Sequence, residues 1–414
     1  MKKIFILFVI IIGGSFTTFG QTGSPIFDNF ISKLDSIQKQ YSQYYDKGEY
    51  KKTEASLREM LKLTDNLELP AEDMTKYKIS LASIKANTYY NLACTYSLLN
   101  KKKEAVNAFE KAIEASYSEY RHAKADADLD NIRKEKKFIA LLNQIKQFDK
   151  LFILQNSNKY QKENTDSLPQ FTYQSTDNRN LKEVRTFFNL DSVAGNGDEV
   201  SKIINILNFA HNTIKHNGNN FALCEFDAID IYNYNKSTGK GVNCRHLAIA
   251  LNEMYLSMGF SSRYVTCMPK NPDDPDCHVI NTVYSTQLQK WVWVDPTFNA
   301  YVKDENGNLL SIAEVRECLI ANKPLVLNED ANWNNISKQT KEYYLDNYMA
   351  KNLYWIQCID YSRFNPESRY RKNENKYIAL LPVGFEFDLP DGIITPKYVT
   401  HDPDYFWQAP QNNN

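Results

Sequence analysis

Between Pro25 and Pro169 the chain holds a single proline, Pro70. Proline lacks a backbone donor and clashes with the turn before it, so helix interiors exclude it. A long stretch nearly free of proline and rich in Lys, Glu, Leu, Ala and Tyr predicts helices joined by short turns over residues 27–154. The 414 residues suggest two or three domains at ~150 residues each. The expected division is a leader at 1–20, a helical region at 21–154 and a polar, Gln/Asn/Ser-rich linker at 155–180. A mixed domain at 181–327 and an aromatic C-terminal extension at 328–414, packed on that domain, complete it.

Within the helical region, Tyr89, Leu92, Ala93, Tyr96, Ala105, Phe109 and Ala112 resemble the spacing of the tetratricopeptide pattern. Small residues at Ala93 and Ala105 let two helices approach closely, and large ones fill the space beside them. Tyr89 stands for Trp, Ala93 for Gly and Tyr117 for the final Pro. The stretch 41–60 matches weakly through Tyr41, Tyr44, Gly48, Tyr50 and Leu57. A generic helical-hairpin bundle is the plainer alternative. Cys94 falls inside a repeat helix and reads as a small buried hydrophobe.

Lys2 and Lys3 precede an apolar run over 4–12, then Gly13, Gly14 and small residues up to Gly20. That order predicts a secretory signal peptide cut after Gly20, and so a periplasmic or extracellular protein. The apolar run falls short of the ~20 residues that anchor a span. With 49 basic and 50 acidic residues, the chain lacks the basic excess of a nucleic-acid binder. Seven cysteines leave at least one thiol unpaired within an exported chain. Cys267 and Cys277 bracket a turn and are candidates for a bridge, or for two free thiols.

Three segments carry chemistry. Leu247, Leu251, Met254 and Met258 recur at helical spacing, with Gly259 as a natural cap; Gly241 and Asn243 mark the helix start. Cys244 therefore falls in the first turn, where unpaired N–H groups and the helix dipole favour a thiolate. Cys277-His278-Val279-Ile280-Asn281-Thr282-Val283-Tyr284 and Lys290-Trp291-Val292-Trp293-Val294-Asp295 read as two strands. With Ser285-Thr286-Gln287-Leu288 as the hairpin loop, Tyr284 faces Gln289 and His278 faces Asp295. Cys244, His278 and Asp295 then form a nucleophile, a base and its orienting carboxylate.

This order, with Met258-Gly259-Phe260-Ser261-Ser262-Arg263-Tyr264-Val265 after the Cys helix and Trp291-Val292-Trp293-Val294-Asp295-Pro296-Thr297 at the Asp, resembles the transglutaminase-like core domain over residues 181–327. The resemblance implies an α+β protein: a papain-like core with an antiparallel sheet packed on the Cys-bearing helix, and thiol-dependent acyl transfer on amides. Arg245 departs from the Trp that follows the Cys in animal-type members. Ile280 and Thr282 depart from the Trp and Glu found after the His in many others. The family's second oxyanion donor, a side chain upstream of the Cys, has no evident counterpart.

His246 points to another helix face than Cys244, and His211 and His216 read as surface residues of a helix over 200–216. Asp273, Asp274 and Asp276 read as a solvated turn rather than a calcium loop. No cofactor or metal is expected. The expected function is an exported thiol enzyme cleaving or transferring at amide bonds of a peptide or protein, hydrolysis before crosslinking. A protein partner at the repeat region fits the same reading. The rival is a non-catalytic binding protein with an inactive domain.

Overall fold

The computed structural model describes residues 24–368, 370, 375–386 and 395–411. The expected signal peptide at 1–20 lies outside the described residues. Among the described residues no helix is long and apolar enough to cross a membrane. The chain divides into two units, the first ending at Asp149 and the second starting at Lys150.

In the first unit, helix α1 (Pro25–Asp46) opens on a proline whose fixed φ suits the first turn. Phe27, Phe30, Leu34, Ile37 and Tyr41 recur every three or four residues and form its buried stripe. Gly48, at φ +72°, turns the chain into α2 (Tyr50–Asp65). Pro70 stands just before α3 (Ala71–Leu98), where no helical donor is lost. A tight turn at Asn100 joins α3 to α4 (Lys102–Glu114). Ala93, Ala105, Phe109 and Ala112 are fully buried between these two helices, as the repeat pattern requires. Tyr117, in the place of the final proline, stacks on Tyr90 at 4.4 Å. The short helices α5 (Tyr120–Ala125) and α6 (Lys136–Ile145) follow, and Phe138 packs on Phe109 at 4.9 Å. Burial and the neighbouring Asp126 carboxylate push the Cys94 thiol up, so it stays protonated.

The second unit starts with α7 (Lys150–Gln155) and the short strand β1 (Thr172–Tyr173). Then come α8 (Arg179–Phe187), α9 (Leu190–Ala194), α10 (Glu199–Thr213), α11 (Ala228–Thr238) and α12 (Cys244–Ser257). After α12 come β2 (Ser262–Met268), β3 (His278–Ser285), β4 (Lys290–Val294), β5 (Val302–Lys303), α13 (Ile312–Ile320), β6 (Val326–Leu327), β7 (Asn332–Trp333), β8 (Ser337–Lys338), a helical segment over 341–352, β9 (Trp355–Ile359), β10 (Tyr361–Ser362), β11 (Tyr377–Leu380), β12 (Tyr398–Thr400) and a short helix over 403–406. The central sheet has six strands in the order β12-β11-β9-β2-β3-β4, antiparallel except for the β11–β12 pair.

Helix α12 is buried on nearly every side because α8, α10 and α11 cover it on one flank and β2 and β3 on the other. Leu247, Leu251 and Met254 meet Val279, Val283, Val292 and Val294 of the sheet. Burying each such side chain contributes ~1.5–3 kcal/mol. Alternation puts Val265, Cys267, Ile280 and Trp293 on the opposite face, against Val315, Tyr344 and Leu345.

Four expectations are corrected here. Residues 155–180 are not a free linker: Phe171 is buried, β1 pairs with β10, and Lys159 and Gln161 bond the backbone of Val383 and His401. The C-terminal residues are not merely packed on the core, since β9, β11 and β12 supply half of the central sheet. The helix expected to reach His216 stops at Thr213. The β3–β4 register differs by two residues: Tyr284 faces Trp291 and Ser285 faces Lys290, so the loop is 286–289. Gln289, at φ +54°, makes that turn. A slip of two keeps every side chain on its face, so His278 and Asp295 still meet, as diagonal rather than direct neighbours.

Candidate active site

Asn243 starts α12: its Oδ1 accepts the His246 N–H at 3.1 Å, and the His246 ring nitrogen Nδ1 lies 2.6 Å from the same oxygen. Cys244 is thereby the first helical residue, among N–H groups with no carbonyl partner inside the helix. His246 is buried and stacks on Phe226 at 4.6 Å.

His278 opens β3 and is buried, with Phe298 and Tyr348 ring centroids at 5.6 and 5.1 Å. Its Nε2 lies 2.7 Å from Asp295 Oδ2. A carboxylate only accepts here, so Nε2 carries the proton and Nδ1 is left to bond Cys244. Asp295 is fully buried just past the end of β4, where it exchanges two backbone hydrogen bonds with Ala300. Its Oδ1 accepts the Thr297 N–H at 2.8 Å, and Oδ2 also accepts the Tyr344 hydroxyl at 2.6 Å. The carboxylate thus has three donors that hold it aimed at the ring.

Burial pushes the Cys244 thiol up, but hydrogen bonds from His216 and His278 outweigh it and lower it to about 6. Burial lowers His278, but the Asp295 charge and hydrogen bond, with the bond to Cys244, raise it to about 10. Both shifts favour the thiolate–imidazolium form of the pair.

His216 and His211 are corrections to their reading as surface residues. Val242 accepts from Asn217 N and donates to Lys215 O, each at 2.8 Å, so the His216 segment lies beside the strand that leads to Cys244. A Cβ on Gly241 would fall 2.6 Å from the His216 carbonyl carbon, so only glycine permits this approach. His211 is buried on α10, with Nδ1 2.9 Å from the Pro296 carbonyl and Nε2 3.1 Å from Asn332 Oδ1. It ties the turn after Asp295 to the β7–β8 hairpin. One sequence signal did bear on His216: Gly218 follows it by two residues, a reason to end the helix earlier. Tyr344 has no such signal, for it meets Asp295 across 49 residues.

The departures from the family pattern are accommodated locally. Arg245 is held by Glu367 at 2.6 Å and Thr266 at 3.0 Å, and Glu367 also accepts from Tyr264 and Tyr377. Ile280 fills the apolar layer beneath His278, and Thr282 bonds the Val292 carbonyl. Lys351 pairs with both Asp274 and Asp276, so a cation of the protein's own offsets part of the charge of that turn. Cys267 and Cys277 are free thiols on different faces of the sheet, Cys267 among Val265 and Ile280, Cys277 beside Met268 and Trp355. Non-reducing peptide mapping should recover both unlinked; one linked peptide would contradict this geometry. A cavity of about 390 Å³ is lined by Phe298, Trp333, Gln339 and Tyr343; Phe298 packs near the His278 ring and Trp333 bonds His216.

Comparison with known proteins adds two matches to families. Residues 188–296 match the Transglutaminase-like superfamily and residues 86–118 the Tetratricopeptide repeat. A chloroplastic protein from Arabidopsis thaliana is 35% identical over 128 residues, 30% of this chain. The match spans 36% of that relative's length. No solved structure matches. The chain carries a transglutaminase-like superfamily domain preceded by a helical region with a tetratricopeptide repeat.

Proposed function

We propose that this chain is an exported, thiol-dependent acyl-transfer enzyme acting on amide bonds of a peptide or protein, with Cys244 as nucleophile, His278 as acid and base, and Asp295 as orienting carboxylate. The observation that carries this reading is the continuous chain from Asp295 Oδ2 through the His278 ring to Cys244 at a helix N-terminus. The thiolate attacks the amide carbon, forming an S–C bond while the carbonyl π pair moves to oxygen. His278 gives its proton to the departing amine as the C–N bond breaks, leaving a thioester. Water, deprotonated by His278, then attacks the thioester; the S–C bond breaks and the thiolate returns. Water is the abundant acceptor for an exported protein, which favours hydrolysis over crosslinking. The tetratricopeptide repeat suits a protein partner.

Alkylation tests the nucleophile directly. Iodoacetamide at mildly acidic pH should modify Cys244 first, with a rate that rises through about pH 6 as the thiolate forms. Cys94, whose thiol is pushed up by burial, should stay unmodified. Peptide mapping by mass spectrometry reads both, and preferential modification of Cys94 would sink the catalytic reading.

A further inference from the structure

Two imidazoles meet the Cys244 sulfur, and their outer nitrogens have opposite partners. His278 faces a carboxylate, which can only accept. His216 faces the Trp333 indole N–H, which can only donate, at 2.9 Å to Nδ1. Nδ1 of His216 therefore carries no proton, the ring is neutral, and its one proton sits on Nε2, the nitrogen left for Cys244. The backbone is held as firmly as the ring. Asn334 Oδ1 accepts the His216 N–H at 2.8 Å, and Asn334 Nδ2 donates to the His216 carbonyl at 2.9 Å. With Gly241 packed beneath, His216 has one position and one tautomer.

We propose that His216 is a second catalytic imidazole that acts only as a hydrogen-bond donor: its Nε2–H holds the Cys244 thiolate at rest and passes to the oxyanion as acyl transfer begins, with Trp333 as the positioning residue that fixes the tautomer. The proposal rests on the acyl-transfer reading above and adds to it the oxyanion donor that the sequence does not reveal. When Sγ bonds the carbonyl carbon, the negative charge leaves sulfur for the adjacent oxygen. A neutral donor already aimed at the sulfur follows that charge without giving up its proton. His278 cannot fill this role, because its proton must go to the leaving group.

The test compares two reactions at one thiol, each measured at the variant's own thiolate plateau. p-Nitrophenyl acetate acylates through an oxyanion: the S–C bond forms, the carbonyl pair moves to oxygen, and collapse breaks the C–O bond to release p-nitrophenolate. Iodoacetamide alkylates by displacing iodide and forms no oxyanion. In the full-length protein, H216A should slow acylation of Cys244 by ~10²-fold or more, the effect of removing one oxyanion donor. Alkylation should change little. H216Q, which keeps an N–H, should recover part of the acylation rate, and W333F should lower acylation selectively. Acylation and alkylation falling in parallel, or acylation unchanged in H216A, would overturn the role of His216 alone. A wild-type protein whose Cys244 is not acylated would overturn the acyl-transfer reading as well. Ring ¹⁵N shifts of the wild-type protein, with His216 assigned by loss of its signal in H216Q, need no active variant. A neutral ring protonated on Nε2 is expected, and a proton on Nδ1 overturns the proposal.

Discussion

C244A removes acyl transfer, lowering kcat/KM by ~10⁴-fold or more, the scale seen when a nucleophile acting within a unit is deleted. The loss is large because no other group near the site can replace the sulfur. Cys267 lies within the apolar layer of the sheet with its thiol pushed up, and burial likewise raises Cys277. The fold should persist, since Asn243 rather than Cys244 caps α12 and Cys244 is not part of the fully buried core. Far-UV circular dichroism and a p-nitrophenyl acetate burst assay measure the two together. A C244A protein that retains the burst would remove Cys244 from the mechanism.

D295N should lower kcat by ~10²-fold or more while leaving KM nearly unchanged. Loss of the corresponding carboxylate costs ~10⁴ in serine proteases, and an intrinsically stronger thiol nucleophile reduces the expected penalty. An amide cannot satisfy this site in either orientation. With Nδ2 toward His278, it opposes two donors, the ring N–H and the Tyr344 hydroxyl. With Nδ2 turned away, it opposes the Thr297 N–H. A buried donor left unmatched costs ~1–3 kcal/mol, so a lowered melting temperature accompanies the loss of rate. Without the carboxylate, His278 no longer holds its proton above the thiol, and the Cys244 titration moves up from about 6. A pH series of iodoacetamide rates reads this shift. An unchanged midpoint would show that Asp295 does not set the charge of the pair.

These effects separate what was legible along the chain from what was not. The repeat hairpin was readable because its signal is local: Ala93, Ala105, Phe109 and Ala112 repeat at helical spacing, and the helices they form are neighbours in sequence. The start of α12 was readable for the same reason, since Gly241, Asn243 and Cys244 lie within one turn. The hairpin register was not. The segment from Ser285 to Gln289 is polar apart from Leu288, and composition does not mark which residue adopts the left-handed turn conformation. The meeting of His278 with Asp295 survived only because a slip of two residues preserves the face of a strand.

The sequence by itself determined the helical first unit, the order Cys244, His278, Asp295, and the face on which each side chain lies. Caps and the periods of 3.6 and 2 are properties of neighbouring residues. Tertiary structure decided the rest of the site. Trp333 reaches His216 across 117 residues, and Tyr344 reaches Asp295 across 49. The C-terminal strands complete a sheet whose other half lies far back in the chain. Such contacts follow from which surfaces bury one another, and that matching leaves no spacing in the sequence to read.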